Sequence, residues 1–145
     1  MNGILIKDQD LCIEMKLIEM MNNLDNISNI GPAYQFLLNE IGIKSVEDLL
    51  EKGANPKGRK EIEEKTGINQ DRILYWFRAA QLSNIRGLDE DHIELLLFCN
   101  ITASDLQLCN VNKIYNICSE VNNKEHIVEI LFTLDELTSI ITDNN

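Results

Sequence analysis

One segment of this chain occurs twice. Ile27-Ser28-Asn29-Ile30-Gly31-Pro32-Ala33-Tyr34, followed by Leu37, Leu38, Gly42 and Ile43, returns as Ile85-Arg86-Gly87-Leu88-Asp89-Glu90-Asp91-His92, followed by Leu95, Leu96, Asn100 and Ile101. A short repeated unit cannot bury its apolar face alone, so repetition commits the chain to packing one copy against the other before any single residue matters. Apolar residues recur three and four positions apart, which is helical spacing. The expectation is an all-α chain of tandem helical hairpins, its short helices packed in one compact domain.

Local punctuation sets the predicted boundaries. Pro32 suits a first helical turn and Gly42 a left-handed stop, giving a helix over about 32–41. Ser45, with Glu47 and Asp48 behind it, predicts a short helix over 46–52 ended by Gly53. Residues 54–58 read as a loop, 59–66 as a helix closing on Gly67, and 70–83 as a helix capped by Asn69 with Ile73, Trp76, Phe77 and Ala80 facing inward. In the second copy Asn100 stands where Gly42 stood, and one residue is lost so that Thr102 takes the place of Ser45. Ile114, Ile117, Cys118 and Val121 form a later stripe, and Ile127, Ile130 and Leu131 another. Thr133 to Glu136 has capping-box spacing and opens a last helix carrying Leu137, Ile140 and Ile141. No strand is expected. The organisation is thus an N-terminal helical extension over 1–26 and a repeat domain over 27–145. The repeats cover about 27–53 and 85–110, linking helices fill 59–83, and C-terminal helices fill 111–142.

The extension predicts a helix over about 9–23 with two apolar stripes: Leu11, Met15 and Ile18 on one, Ile13, Leu17, Met20, Met21 and Leu24 on the other. A helix apolar on two faces needs two contacts. It is either wedged against the repeat core or offers a methionine-rich surface, through Met20 and Met21, to a partner helix or a second copy.

Charge is distributed unevenly. The formal net charge is −11, yet residues 44–86 carry nine basic and seven acidic side chains, against two and six before them and two and eleven after them. Only the middle suits a polyanion. No apolar run is long enough for a membrane span and no secretory signal opens the chain, so a cytoplasmic protein with no membrane partner is expected. Cys12, Cys99, Cys109 and Cys118 lack the close pairing of zinc or redox sites and read as buried, reduced thiols.

The run from Ile27 to Tyr34, with Gly42-Ile43-Lys44-Ser45-Val46-Glu47-Asp48-Leu49-Leu50, resembles the helix-hairpin-helix class. The link Gly53-Ala54-Asn55-Pro56-Lys57-Gly58-Arg59-Lys60-Glu61, followed by Glu64-Lys65-Thr66-Gly67-Ile68, is similar to one family within it, domain of unknown function 4332. The resemblance extends from about Leu24 to Asp143 and includes Glu120-Val121-Asn122 and the helix from Thr133 to Ile141. It implies a tandem hairpin fold and no established activity.

Hairpins of this class that hold DNA use a Gly-apolar-Gly turn, whose backbone amides meet a phosphate at a helix N-terminus. Here each turn is half of that pattern: Asn29-Ile30-Gly31 in the first copy and Gly87-Leu88-Asp89 in the second. Asp89 puts a carboxylate where a phosphate would sit, so the second hairpin reads as structural. Ile30 and Gly31 remain candidate phosphate contacts, as do Lys57, Arg59 and Lys60, the densest basic cluster, unless Glu61, Glu63 and Glu64 simply balance it in solvent. Trp76 reads as core rather than as a base-stacking platform. His92 and His126 lie apart, Asp89-Glu90-Asp91 suits a helix start, and no nucleophile elbow, zinc pair or phosphate loop is present. The expectation is therefore no catalysis, no cofactor and no metal: an interaction module for protein partners or self-association, or alternatively a weak, sequence-independent nucleic-acid binder.

Overall fold

The computed structural model describes Leu24, Ile27 and residues 30–144. The expected N-terminal helix, with Met20 and Met21, lies outside the described residues. Among those described are eight α-helices and no strand: α1 (Pro32–Glu40), α2 (Val46–Lys52), α3 (Pro56–Thr66), α4 (Gln70–Ser83), α5 (Glu90–Phe98), α6 (Ala103–Leu108), α7 (Val111–Glu125) and α8 (Leu134–Asp143). None is long and apolar enough to cross a membrane.

Capping explains most of the boundaries. The Ser45 hydroxyl accepts from the Asp48 amide at 3.1 Å, and the Asn69 side chain accepts from the Asp71 amide at 2.7 Å. Thr102 with Asp105, and Thr133 with Glu136, form reciprocal capping boxes. Each cap satisfies amides that a helix start leaves without partners, so the sequence position of the cap fixes where the helix begins.

Two segments differ from the sequence expectation. The loop placed at 54–58 is shorter, because the Asn55 side chain accepts from the Gly58 amide at 2.8 Å and Pro56 enters the first turn of α3. Gly58 is obligatory there for a tertiary reason: a Cβ at this position would sit 2.0 Å from the carbonyl oxygen of Lys52. The stripe Ile127, Ile130 and Leu131 is not a helix face either. α7 stops at His126, in the left-handed region at φ 50°. The Asn122 side chain then accepts from the Val128 amide at 2.8 Å and donates to the Val128 carbonyl at 3.1 Å. Val128 and Phe132 are buried by this arrangement, while Ile130 is 81% exposed.

The core centres on Trp76, which is fully buried together with Leu38, Ile43, Leu49, Ile73, Leu82, Leu95, Leu96 and Leu137. Trp76 meets Tyr34 edge to face, ring centres 5.1 Å apart, in a favourable aromatic geometry. Its indole N–H has no acceptor among the described residues. Phe77, expected inward, is half-buried.

Backbone hydrogen bonds recur at the spacing of the sequence repeat. The amide of Ile27 donates to Leu24 and that of Ile85 to Leu82, both at 3.0 Å. Ile30 to Ile27 and Leu88 to Ile85 are both 3.4 Å, and Ile43 to Leu38 and Ile101 to Leu96 are both 2.9 Å. Gly42 and Asn100 both take positive φ, at 86° and 59°, so Asn100 supplies the left-handed residue expected of it. The helices form two groups of four, joined where α4 packs on both α5 and α6. In the first group α2 and α3 both pack on α4. In the second α7 packs on α8, but α6 and α8 face each other across an open groove.

Candidate functional site

The two hairpins present different helix starts. At α1 the N-cap is Gly31, in extended backbone, with no side-chain cap and no acidic residue in the first turn. Pro32 lacks an amide hydrogen, so Ala33 and Tyr34 hold the uncapped donors at the positive end of the helix dipole. The guanidinium of Arg72 lies over the Tyr34 ring, 5.0 Å from its centre. Cationic charge from α4 therefore stands beside the start of α1. Ile30 is buried, its side chain part of the core rather than of the turn's surface.

At α5 the same place is closed. One oxygen of Asp89 accepts from the His92 amide at 2.8 Å and from the His92 ring nitrogen Nδ1 at 2.7 Å. On the other side of the ring, Nε2 accepts from the Phe132 amide at 3.0 Å, so this imidazole is neutral with its hydrogen on Nδ1. The Phe132 ring stacks on it at 4.8 Å. Burial of Asp89 favours its protonated form, yet the hydrogen bonds from His92 outweigh burial and hold its pKa below the usual carboxylate value. An anion approaching α5 would meet a carboxylate already engaged with the His92 amide and ring.

The basic cluster is not beside the Gly31 turn. Lys57 and Gly58 flank Ile41, at the far end of α1, in a shallow cleft shared with Glu51, Glu61 and Lys65. Nine residues of helix, roughly 13 Å, separate that end from Gly31. Arg59 is committed to structure, its Nη1 donating to the Gly53 carbonyl at 2.7 Å. Lys60 is exposed on α3. The fold thus separates Gly31 from Lys57, while Arg72 of α4 stands beside the start of α1.

A groove of about 630 Å³ lies between α6 and α8, floored by residues of α2 and α4. Leu50, Phe77, Leu106, Ile140 and Ile141 give it apolar walls. Amide side chains, among them Gln81, Gln107 and Asn144, supply its polar groups, and not one ionisable side chain lines it. In a chain where 26% of residues are charged, that composition is a departure from the surrounding surface. Asn144 closes one end, its side chain accepting from the Arg86 amide and donating to the Arg86 carbonyl, both at 3.0 Å. Sequence spacing marks Phe77 as inward-facing and Ile140 with Ile141 as a helix stripe, but not as walls of one groove, because the groove is made by the relative placement of helices far apart in the chain.

Cys118 is buried and Cys99 half-buried, whereas Cys109, expected to be buried, is exposed near the end of the short helix α6; all three are free thiols. Burial raises the Cys99 thiol and pushes Cys118 up to about 12, which keeps both protonated and unreactive. Among the described residues no group of His, Cys, Asp and Glu is placed to hold a metal ion.

The family model for Domain of unknown function (DUF4332) matches residues 28–143. No curated protein and no solved structure matches the chain.

Proposed function

The chain belongs to the family Domain of unknown function (DUF4332), and we propose that it is a non-enzymatic, cytoplasmic module of tandem helix-hairpin-helix repeats that binds protein partners or itself. The observation that carries this reading is the charge-free groove between α6 and α8. Its volume falls in the range of clefts that take up side chains, and its apolar walls and amide groups match the composition of recognition surfaces for an amphipathic helix. The matched hydrogen bonds at 24–43 and 82–101 support the tandem hairpin description.

Ser104 and Gln107 line the groove and are exposed, so Ser104→Glu with Gln107→Glu places two carboxylates there without disturbing the core. Capture from nuclease-treated lysate of the source cells should retain proteins on the wild type and lose them on the double variant. Equal retention by both would move the interface elsewhere.

A second reading, weak sequence-independent nucleic-acid binding, is favoured by one observation: the uncapped start of α1 beside Arg72. On this reading binding falls steeply with salt, since phosphate contacts release counterions. Gly31→Asp together with Arg72→Glu should abolish it, and absence of binding at low salt would dispose of it.

A further inference from the structure

We propose that Cys99 and Cys118 are a dithiol site that an oxidant converts to a disulfide, fastening both ends of the segment that carries α6. Cys99 stands at the C-terminal end of α5 and Cys118 lies within α7, and these two helices pack on each other. Their side chains meet: the Cys118 thiol donates a hydrogen bond to the Cys99 sulfur. Sulfurs in such contact are already placed for a covalent bond, which between distant cysteines would require the backbone to move. Cys109, the third described thiol, has the Asp105 carboxylate beside it instead. Between the pair runs the whole of α6, with Ser104, Leu106 and Gln107 of the groove wall. The two cysteines are far apart in sequence and become a pair only through the packing of α5 on α7.

The two thiols have different parts. Cys99 is half-buried and within reach of a small oxidant, whereas Cys118 is buried behind it. Burial weighs more heavily on Cys118, and its hydrogen bond supports an ionised Cys99, so Cys99 ionises first. In the closed fold both stay protonated, and the reaction waits on local opening at the end of α5. Hydrogen peroxide is the oxidant. The Cys99 thiolate attacks one peroxide oxygen, the O–O bond breaks, and the departing hydroxide takes up the proton that the thiol released, leaving a sulfenic acid and one water. When the segment closes again, the Cys118 sulfur attacks the Cys99 sulfur, the S–O bond breaks, and the hydroxyl leaves as a second water with the Cys118 proton. Two thiols have then given up two electrons and two protons, and one peroxide has become two waters. A dithiol reductant reverses the change by exchange.

The test uses the full chain with Cys12→Ser and Cys109→Ser, so that only the pair remains. Hydrogen peroxide should remove both thiols, titrated after denaturation, with a mass loss of two hydrogens and no dimer, and dithiothreitol should restore them. Peptide mapping of the oxidised wild type should find the same Cys99–Cys118 link, a readout that does not depend on how well the double variant folds. Adding Cys118→Ala should halt the reaction at a Cys99 sulfenic acid that dimedone traps. The disulfide should raise the melting temperature by about 5 °C or more, because it constrains the unfolded chain across the segment it closes. Proteolysis within residues 100–117 should slow with it. Thiols that survive peroxide intact, or a mapped link between other cysteines, overturn the proposal. So does oxygen added at Cys99 while Cys118 stays free, and an oxidised protein that melts no higher than the reduced one removes the fastening of α6.

Discussion

Gly31 and Asp89 occupy equivalent places in two backbones that share their hydrogen bonds, yet one helix start is open and the other sealed. The difference lies in side chains alone. The Asp89 carboxylate accepts from the amide and the ring of His92, and that ring in turn accepts from the Phe132 amide. Gly31 offers no such group, and Arg72 adds a cation beside the amides left over. The two halves diverge in packing as well: α2 closes onto α4, whereas α6 stands off from α8 and leaves the groove. Duplicated backbone thus supports two surfaces of different chemistry, an anion-tolerant turn in the first half and an uncharged cleft in the second.

The largest test asks whether the halves are equal in the core. Leu38 and Leu96 are equivalent and both fully buried, so Leu38→Ala and Leu96→Ala should each destabilise the protein by about 2–5 kcal/mol in denaturant melts. Trp76→Ala, which removes the ring shared between α4 and Tyr34, should cost at the upper end, about 3–5 kcal/mol. A loss at Leu96 far below that at Leu38 would show the second half to be looser than its burial indicates.

Next in size is the seal itself. Asp89→Ala should cost about 1 kcal/mol, the usual value of an N-cap, whereas Gly31→Asp should stabilise by only a few tenths, since glycine is already a tolerable cap. A Cβ at Gly31 meets nothing within 4 Å, so the substitution is sterically free. If Gly31→Asp destabilised the fold, the open start of α1 would be held by contacts other than its cap.

Acid should act on both halves. Asp48 has a pKa below its ordinary 3.8, chiefly through the Lys44 amide that donates to it, and Asp89 is lowered through His92 despite burial. A lowered folded pKa means stability present above pH 3.8 and lost as pH falls through the folded values. Melting temperature should therefore hold from neutral pH to about 4 and then decline. Asp89→Asn, which keeps the cap but not the charge, should flatten that decline. The smallest signal is chemical: Cys109 should react rapidly with a thiol reagent, and Cys99 and Cys118 only as the second half opens.

What was legible in sequence was local. Ser45, Asn69, Thr102 and Thr133 cap the helices they were expected to cap, because each side chain reaches an amide two or three residues on. The start of α3 was misread because Pro-Lys-Gly has loop composition, while the need for Gly58 arises from Lys52 in a different helix. The segment after α7 was misread because alternate apolar residues there obey Asn122 rather than a helical period. Of the candidate sites, Gly31 is where the repeat placed it, but Arg72 joins Tyr34, and His92 joins Phe132, across distances that spacing does not encode. The groove depends on how far α6 stands from α8, which no local pattern records.

The clamp between Asn144 and Arg86 also carries a consequence in time. It closes a loop of 58 residues, and a contact of that separation forms late because chain entropy opposes it. A chain growing from its N-terminus has α1 to α4 complete and able to pack before Asn144 exists. The groove is the last surface to be shaped during synthesis, so a nascent chain keeps this cleft unfinished until the first half is already folded.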